Sequence, residues 1–141
     1  MSSLESPAFH EVMFYTLQHA DQAYFIHQHA VDAYTAQMAN KETKPIALIF
    51  ALAGLYLFLE RGYSGRQVQL AHMHMAKNKQ PWPQITLPSE RGTITVETVL
   101  AQEPGPERDS MISRWCAEVW STFQASHSTM AQLVTAYRLK I

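Results

Sequence analysis

The 141-residue sequence has one cysteine and almost no net charge. Because Cys116 has no second thiol in the chain, an internal disulfide, a cysteine-rich zinc module and a cross-linked secreted scaffold are excluded. Eleven Lys and Arg against twelve Asp and Glu leave a formal net charge of -1, which argues against a nucleic-acid binder. The first ten residues lack a basic region followed by an apolar run. We therefore expect no secretory signal and a reducing, cytoplasmic location.

Long apolar runs are also missing. The longest covers residues 45–59, and at about 1.5 Å per residue it reaches only ~22 Å, short of the ~30 Å hydrocarbon core of a bilayer. We therefore predict a buried central helix and no contact with a membrane. The chain length fits a single domain, residues 1–141, with a core that needs no cross-links.

Helical periodicity dominates what is present, and it predicts an all-α fold: a single-domain bundle of about five main helices. A Pro-rich excursion, residues 78–91, separates the fourth helix from the fifth. Within and after it, residues 85–87 and 93–96 could pair as a hairpin, but we favour a short helix capped by Thr95. The main helices are predicted at residues 8–19, 21–39 with Asp21 as cap, 45–59, 64–78 with Ser64 and Gln67 as a capping box, and 107–138.

The last of these helices is too long for a compact domain. Unbroken from 107 to 138 it would be ~48 Å long, whereas a domain of this length has a radius of gyration of about 14 Å. It therefore either kinks near residues 126–128 or projects toward a second copy of the chain. From this length and the fully apolar central helix we predict a homodimer that forms through the last helix.

Three stretches resemble a bacterial family of uncharacterised helical proteins, a domain of unknown function. They are FIHQHAVDAYTAQ at residues 25–37, KPIALIFALAGLYLFLERGYSGRQVQ at 44–69 and PGPERDSMISRWCAEVW at 104–120. The likeness covers about residues 10–120, and its matching positions include His27, Asp32, Tyr34 and Gln37. What the resemblance implies is a small, mainly helical bacterial protein, without a reaction or a role for any residue.

Histidine is the most informative residue type, with seven in the chain. At ~100° per residue, His10, His27 and His72 each fall within an apolar stripe, on the first, second and fourth helices. Bundles build metal sites from side chains that face each other in this way, and imidazole binds zinc, iron or nickel. We predict a divalent-metal site of these three ligands, with Asp32 or Glu11 as oxygen ligand or catalytic base, and metal-assisted hydrolysis as its reaction. The apolar neighbours that set the stripes are Met13, Phe14 and Leu17; Tyr24, Val31, Tyr34 and Met38; and Val68, Ala71 and Met75.

Other interpretations stay open. His29 and Asp32 stand three residues apart on another face of the second helix, as an exposed pair or as a second candidate site. Cys116 lies in an apolar stripe, where a thiol behaves as a small buried hydrophobe. The methionines and Trp82, which sits between two prolines, could line a pocket for an apolar ligand of unknown identity. The main alternative to an enzyme is a non-enzymatic oligomeric or partner-binding module with structural histidines.

Overall fold

The computed structural model describes residues 6–18 and 24–137, and within these ranges the chain is all helical, with no strand. Seven α-helices occur, compared with the five main helices predicted. The count differs because the last predicted helix is divided in two and the short helix forms as well. The helices are α1 (Pro7–Gln18), α2 (Ile26–Met38), α3 (Pro45–Arg61), α4 (Gly65–Lys77), α5 (Val96–Leu100), α6 (Pro106–Thr122) and α7 (His127–Ala136).

Helix α3 is the central element, as its apolar sequence predicts. It packs against α2, α4, α6 and α7, and eight of its residues are buried. Pro45 occupies its first turn, where the missing N–H costs nothing, and Gly62 ends it in the left-handed region at φ 71°. None of the helices in the described ranges combines the length and the apolar character that crossing a bilayer requires.

Local capping signals place two helix starts correctly. The Gln67 N–H donates to Ser64 Oγ at 3.1 Å, and the Ser64 N–H donates to Gln67 Oε1 at 2.8 Å, which completes the predicted capping box of α4. The Thr95 N–H donates to Thr98 Oγ1 at 3.1 Å at the start of α5. The short helix favoured for this region therefore forms, and the described residues contain no hairpin.

The last predicted helix kinks. A 3₁₀ turn at Gln124–Ser126 separates α6 from α7, and α7 folds back to pack against α3. Ile112, Trp115 and Val119 of α6 are buried, as are Met130 and Val134 of α7, so the apolar stripe continues across the kink. Of the two alternatives for this helix, the structure therefore has the kink and not the projection. The homodimer stays a prediction.

The predicted inward face of α1 is wrong. Phe14 is 64% exposed and Leu17 is also exposed, whereas Val12, Tyr15 and Thr16 are buried. The helix carries two overlapping apolar stripes, and the one anchored by Tyr15 is turned inward. The Tyr15 hydroxyl donates to Asp109 Oδ1 at 2.6 Å and accepts from the Gly105 N–H at 2.9 Å, which fixes this rotation of α1 against α6.

Helix α2 is enclosed by α1, α3, α4 and α6 and is buried around most of its circumference. Of the stripe predicted to face inward, Tyr34 is buried but Met38 is exposed. The alanines of α2, Ala30, Ala33 and Ala36, are fully buried and allow neighbouring helices to approach closely. As a result, the face predicted to carry an exposed pair, His29 with Asp32, is inside the protein.

Candidate functional site

The three histidines predicted to share a metal each have different surroundings. His10 is exposed on α1, because the inward stripe of that helix is the other one. His27 is half-buried, with Nδ1 at 2.9 Å from the Thr16 hydroxyl. His72 is also half-buried; its Nε2–H donates to the Phe50 carbonyl at 2.7 Å, and its ring stacks on that of Phe50. Burial lowers the pKa of both His27 and His72.

These positions do not bring the three imidazoles together. Across residues 6–18 and 24–137, no three His, Cys, Asp or Glu side chains form a group that could hold a metal ion. Glu11, predicted as an oxygen ligand or base, is exposed on α1 beside His10. His19 lies outside the described residues. Of the five residues predicted for the site, Asp32 is the one that is buried.

His29, the alternative partner of Asp32, is 1% exposed and lies between two aromatic rings. Its imidazole stacks on Phe58 of α3, with ring centroids 3.7 Å apart, and meets the ring of Tyr24 edge-on at 5.5 Å. Neither Nδ1 nor Nε2 has a hydrogen-bond partner among residues 6–18 and 24–137. Burial lowers the pKa of His29 to about 4, so the ring is neutral at pH 7.

Asp32 is 3% exposed and lies one helical turn after His29. Oδ1 accepts a hydrogen bond from Gln28 Nε2 at 3.1 Å, and Oδ2 has no hydrogen-bond partner in the part of the chain that the structure describes. The carboxyl rests directly on the backbone of α3, because a Cβ at Gly54 would lie 1.9 Å from Oδ2. Burial raises the pKa of Asp32 well above its usual range, against the opposing effect of the Gln28 hydrogen bond.

His29 of α2 contacts Phe58 of α3, and Asp32, three residues later on α2, contacts Gly54, four residues earlier on α3. The two helices are therefore antiparallel along this contact. Gly54 has no side chain and therefore admits a close neighbour, and the structure identifies this neighbour as the Asp32 carboxyl group. An acidic side chain fits here because the Asp32 carboxyl group occupies the space that a side chain at position 54 would fill.

Cys116 of α6 completes a buried polar cluster, by which we mean His29, Asp32 and Cys116. Its thiol donates to the His29 carbonyl at 3.4 Å. Burial, and then the nearby Asp32 carboxyl, raise the pKa of the thiol. Cys116 therefore stays protonated and is a poor nucleophile, as its place in an apolar stripe predicts.

Tyr24 covers the His29 side of the cluster, and Phe25, the next residue, contacts His27. Tyr24 is 38% exposed and is hydrogen-bonded to Ser113 of α6. Its carbonyl accepts from the N–H of Gly65 at 2.6 Å and of Arg66 at 3.3 Å, at the start of α4. Phe25 adopts φ 55°, the one positive φ at a non-glycine residue in the described ranges. Tyr24 is thus held by hydrogen bonds to the start of α4, and the residue that follows it, Phe25, has a strained backbone.

Sequence reasoning missed the polar residue with the most complete set of partners, Gln37 at the other end of α2. Its Nε2 donates to the carbonyls of Ile94 at 2.6 Å and Arg91 at 3.2 Å, and its Oε1 accepts from Trp115 Nε1 at 3.0 Å. The signal was present as helical spacing. Ile26, Ala30, Ala33 and Gln37 recur at the interval of one helical face, and His29 lies beside it.

The comparisons with known proteins give a family without a function. A family model described as a family of unknown function (DUF5946) matches residues 6–124. The match contains α1 to α6 and all residues of the buried polar cluster. No curated protein and no solved structure matches the chain.

Proposed function

Since the chain belongs to this family of unknown function, no reaction comes with membership, and we propose from the chain's own geometry that it performs acid–base chemistry at His29 and Asp32. One observation carries the proposal. Both ring nitrogens of His29 and Oδ2 of Asp32 are buried without a hydrogen-bond partner among the described residues. Burying a polar group in this way costs roughly 1–3 kcal/mol, and such groups cluster at functional sites.

The two side chains are suited to opposite roles. At pH 7 the His29 imidazole is neutral, because its pKa is about 4, and it can accept a proton. The raised pKa of Asp32 favours its neutral acid, which can donate one. Pairs of titratable groups whose surroundings move their pKa values apart are the usual basis for assigning a general base and a general acid.

The reaction class we propose is hydrolysis. His29 takes a proton from a water molecule as the water oxygen bonds to a carbonyl carbon. Asp32 donates its proton to the leaving oxygen as the bond from carbon to that oxygen breaks. The proton held by His29 then returns to Asp32, so that both groups regain their starting states.

Access to the site requires Tyr24 to move, because His29 is closed off in this conformation. Opening breaks the edge-on contact between the Tyr24 and His29 rings, which is worth about 0.5–1.5 kcal/mol, and also the hydrogen bond between Tyr24 and Ser113. We propose that a small substrate enters where Tyr24 and Phe25 lie and takes the place of the Tyr24 ring.

Ester hydrolysis tests the proposal, with p-nitrophenyl acetate as the probe. We expect His29→Gln to lose most of the rate above buffer, since general-base catalysis contributes typically 10²–10⁴-fold. His10→Gln is the matched control, because it removes an exposed imidazole that can react without a site. Circular dichroism verifies that both variants fold. Equal rates for the wild type and His29→Gln, or equal losses in the two variants, would contradict the proposal.

The pH profile of the rate provides a second test. The rate should rise as the pH passes about 4, where His29 loses its proton, and fall again at higher pH as Asp32 ionises. Asp32→Asn should remove the fall at high pH along with most of the rate. A profile that follows an ordinary surface histidine, with a midpoint near pH 6.5, would argue against His29 as the base.

A bound zinc, iron or nickel ion stays a prediction, and it would need ligands beyond the described residues, because these supply no three-ligand group. Metal analysis of protein purified without chelator tests it: near-stoichiometric metal that is lost in His27→Ala would identify His27 as one of the ligands, and metal-free protein would contradict the prediction.

The second candidate function is a non-enzymatic oligomeric or partner-binding module. The observation that favours it is that His72 and His127 each donate to a backbone carbonyl, of Phe50 and Trp120, and so have structural roles. His29 has no such partner, which is why we place the acid–base proposal first. Absence of hydrolysis above buffer in the wild type, together with a dimer at micromolar concentration in sedimentation, would favour the module.

A further inference from the structure

A cleft beside the α2–α3 connection, after the C-terminal end of α2, has the dimensions of a ligand site. Its volume is about 390 Å³, within the ~300–1,000 Å³ typical of small-molecule pockets. One wall is the turn after α2 with the start of α3, and the other is the Pro-rich segment. The lining residues are Asn40, Lys41, Thr43, Pro45, Leu48, Ile49, Pro83, Gln84, Ile85 and Leu87.

The lining is divided by chemistry. The apolar surface is made by Pro83, Ile85 and Leu87 of the Pro-rich wall, which are partly exposed. Leu48 and Ile49 line the cleft from the core, since both are buried. The turn contributes a polar edge with one charged group, Lys41. No acidic side chain lines the cleft, and none in the described ranges is paired with the Lys41 ammonium. A ligand complementary to this lining has an apolar body and one negative charge at its end.

Both walls are fixed in position. In the turn, the Asn40 N–H donates to Thr43 Oγ1 at 2.9 Å, and Asn40 Oδ1 accepts from the Glu42 N–H at 2.8 Å. In the other wall, Trp82 lies between two prolines and packs edge-on against Phe50, with ring centroids 5.8 Å apart. Fixed walls reduce the entropy lost on binding, which favours a small ligand over a segment that must itself become ordered.

The geometry points to this cleft as a binding site for a small amphipathic carboxylate, with the carboxylate at Lys41 and the aliphatic body against Ile85 and Leu87. At ~30 Å³ per water molecule, the cleft holds the volume of about thirteen waters, enough for a carboxylate on a chain of about eight carbons. The inference is independent of the acid–base proposal, because the cleft shares no residue with the buried polar cluster.

Titration with sodium octanoate, followed by ¹H–¹⁵N NMR spectra of the full chain, tests the site. We expect saturable shifts at Leu48, Ile49, Ile85 and Leu87. Octan-1-ol, which has the chain without the charge, should bind at least tenfold more weakly, and acetate, which has the charge without the chain, should cause no saturable shift. Absence of saturation by 10 mM octanoate, or equal binding of octanoate and octan-1-ol, would overturn the inference.

Charge-removal variants sharpen the test. Lys41→Gln should weaken octanoate about tenfold and leave octan-1-ol unchanged. Lys44→Gln is the matched control, since Lys44 is another exposed lysine of the same connection and does not line the cleft. Equal effects of the two variants would overturn the role of Lys41. His29→Gln should bind octanoate as the wild type does, so that failure of either proposal leaves the other to be judged separately.

Discussion

The two ends of helix α2 treat buried polar side chains in opposite ways. Near its C-terminal end, Gln37 uses all three of its hydrogen bonds within the protein, two to carbonyls and one to Trp115. In its N-terminal half, His29 has no hydrogen bond at either ring nitrogen to any described residue, and Asp32, at the middle of the helix, has none at Oδ2. All three side chains are buried. The difference is therefore in the partners that the surrounding helices provide, not in the degree of burial.

The contrast separates two reasons for placing a polar group inside a protein. A satisfied group such as Gln37 joins elements, here α2, α6 and the segment before α5, and its loss leaves its partners unpaired. An unsatisfied group costs stability as it stands, and this cost is typical of groups retained for chemistry. Substitutions at the two ends of α2 should therefore change stability in opposite directions, and each prediction below probes one side of that contrast.

Gln37→Leu should have the largest effect. It removes the side chain between the Arg91 and Ile94 carbonyls and the Trp115 indole N–H, leaving three groups without a partner. We expect a loss of roughly 3 kcal/mol in the free energy of unfolding, measured by urea denaturation. Gln69→Leu on α4, a substitution of the same size at a partly exposed site, should change it by less than about 0.5 kcal/mol. A Gln37→Leu variant as stable as wild type would remove the contrast.

Acid should destabilise the protein through His29. Its pKa is about 4 in the folded protein and about 6.5 when exposed, so the unfolded chain binds more protons between these values. Stability should fall as the pH drops from about 6.5 to about 4, by roughly 3 kcal/mol in total. His29→Phe, which cannot take up a proton, should lose this component of the pH dependence, whereas His10→Gln should retain it. Parallel stability curves for His29→Phe and the wild type between pH 4 and 7 would contradict the prediction.

Gly54→Ala should destabilise by about 2 kcal/mol, because the new methyl group would lie 1.9 Å from Oδ2 of Asp32 and force α2 away from α3. A double-mutant cycle identifies the cause. In the Asp32→Ala background the carboxyl is gone, and Gly54→Ala should cost at least 1 kcal/mol less than in the wild type. An unchanged cost in that background would show that the methyl group clashes with something other than Asp32.

Much of the fold could be predicted because its signals are local. The capping box of α4, the proline at the start of α3 and the helix after Thr95 each depend on a few neighbouring residues, and all three are found. The inward faces of α1 and α2 depend on distant partners instead. On α1 two apolar stripes compete, and the bonds of Tyr15 to Asp109 and Gly105 decide between them.

The candidate site was harder to predict for a related reason. Periodicity identifies an inward face by its apolar residues, but α2 is surrounded and buries residues on several faces. Its fully buried alanines carry little of the hydrophobic signal that larger side chains give. A histidine and an aspartate beside them therefore resemble an exposed pair in the sequence, and only the contacts with Phe58 and Gly54 of α3 show that they are interior.

The smallest effect, and the one opposite in sign, is expected for Asp32→Asn. Burial raises the pKa of Asp32, so near pH 4–5 the unfolded chain gives up a proton that the folded chain keeps, and wild-type stability is lowered by this group as the pH rises. Asparagine retains an oxygen that can accept from Gln28 and has no proton to lose. The stability of Asp32→Asn relative to wild type should therefore increase by about 1 kcal/mol between pH 4 and pH 5, where the slope approaches 1.4 kcal/mol per pH unit.

His29 acts in the opposite direction over this range, so the comparison is best made in a His29→Phe background, by urea denaturation at each pH. A difference that stays constant or shrinks with pH would mean that Asp32 ionises normally in the folded protein, and the acid–base proposal would then lose its general acid.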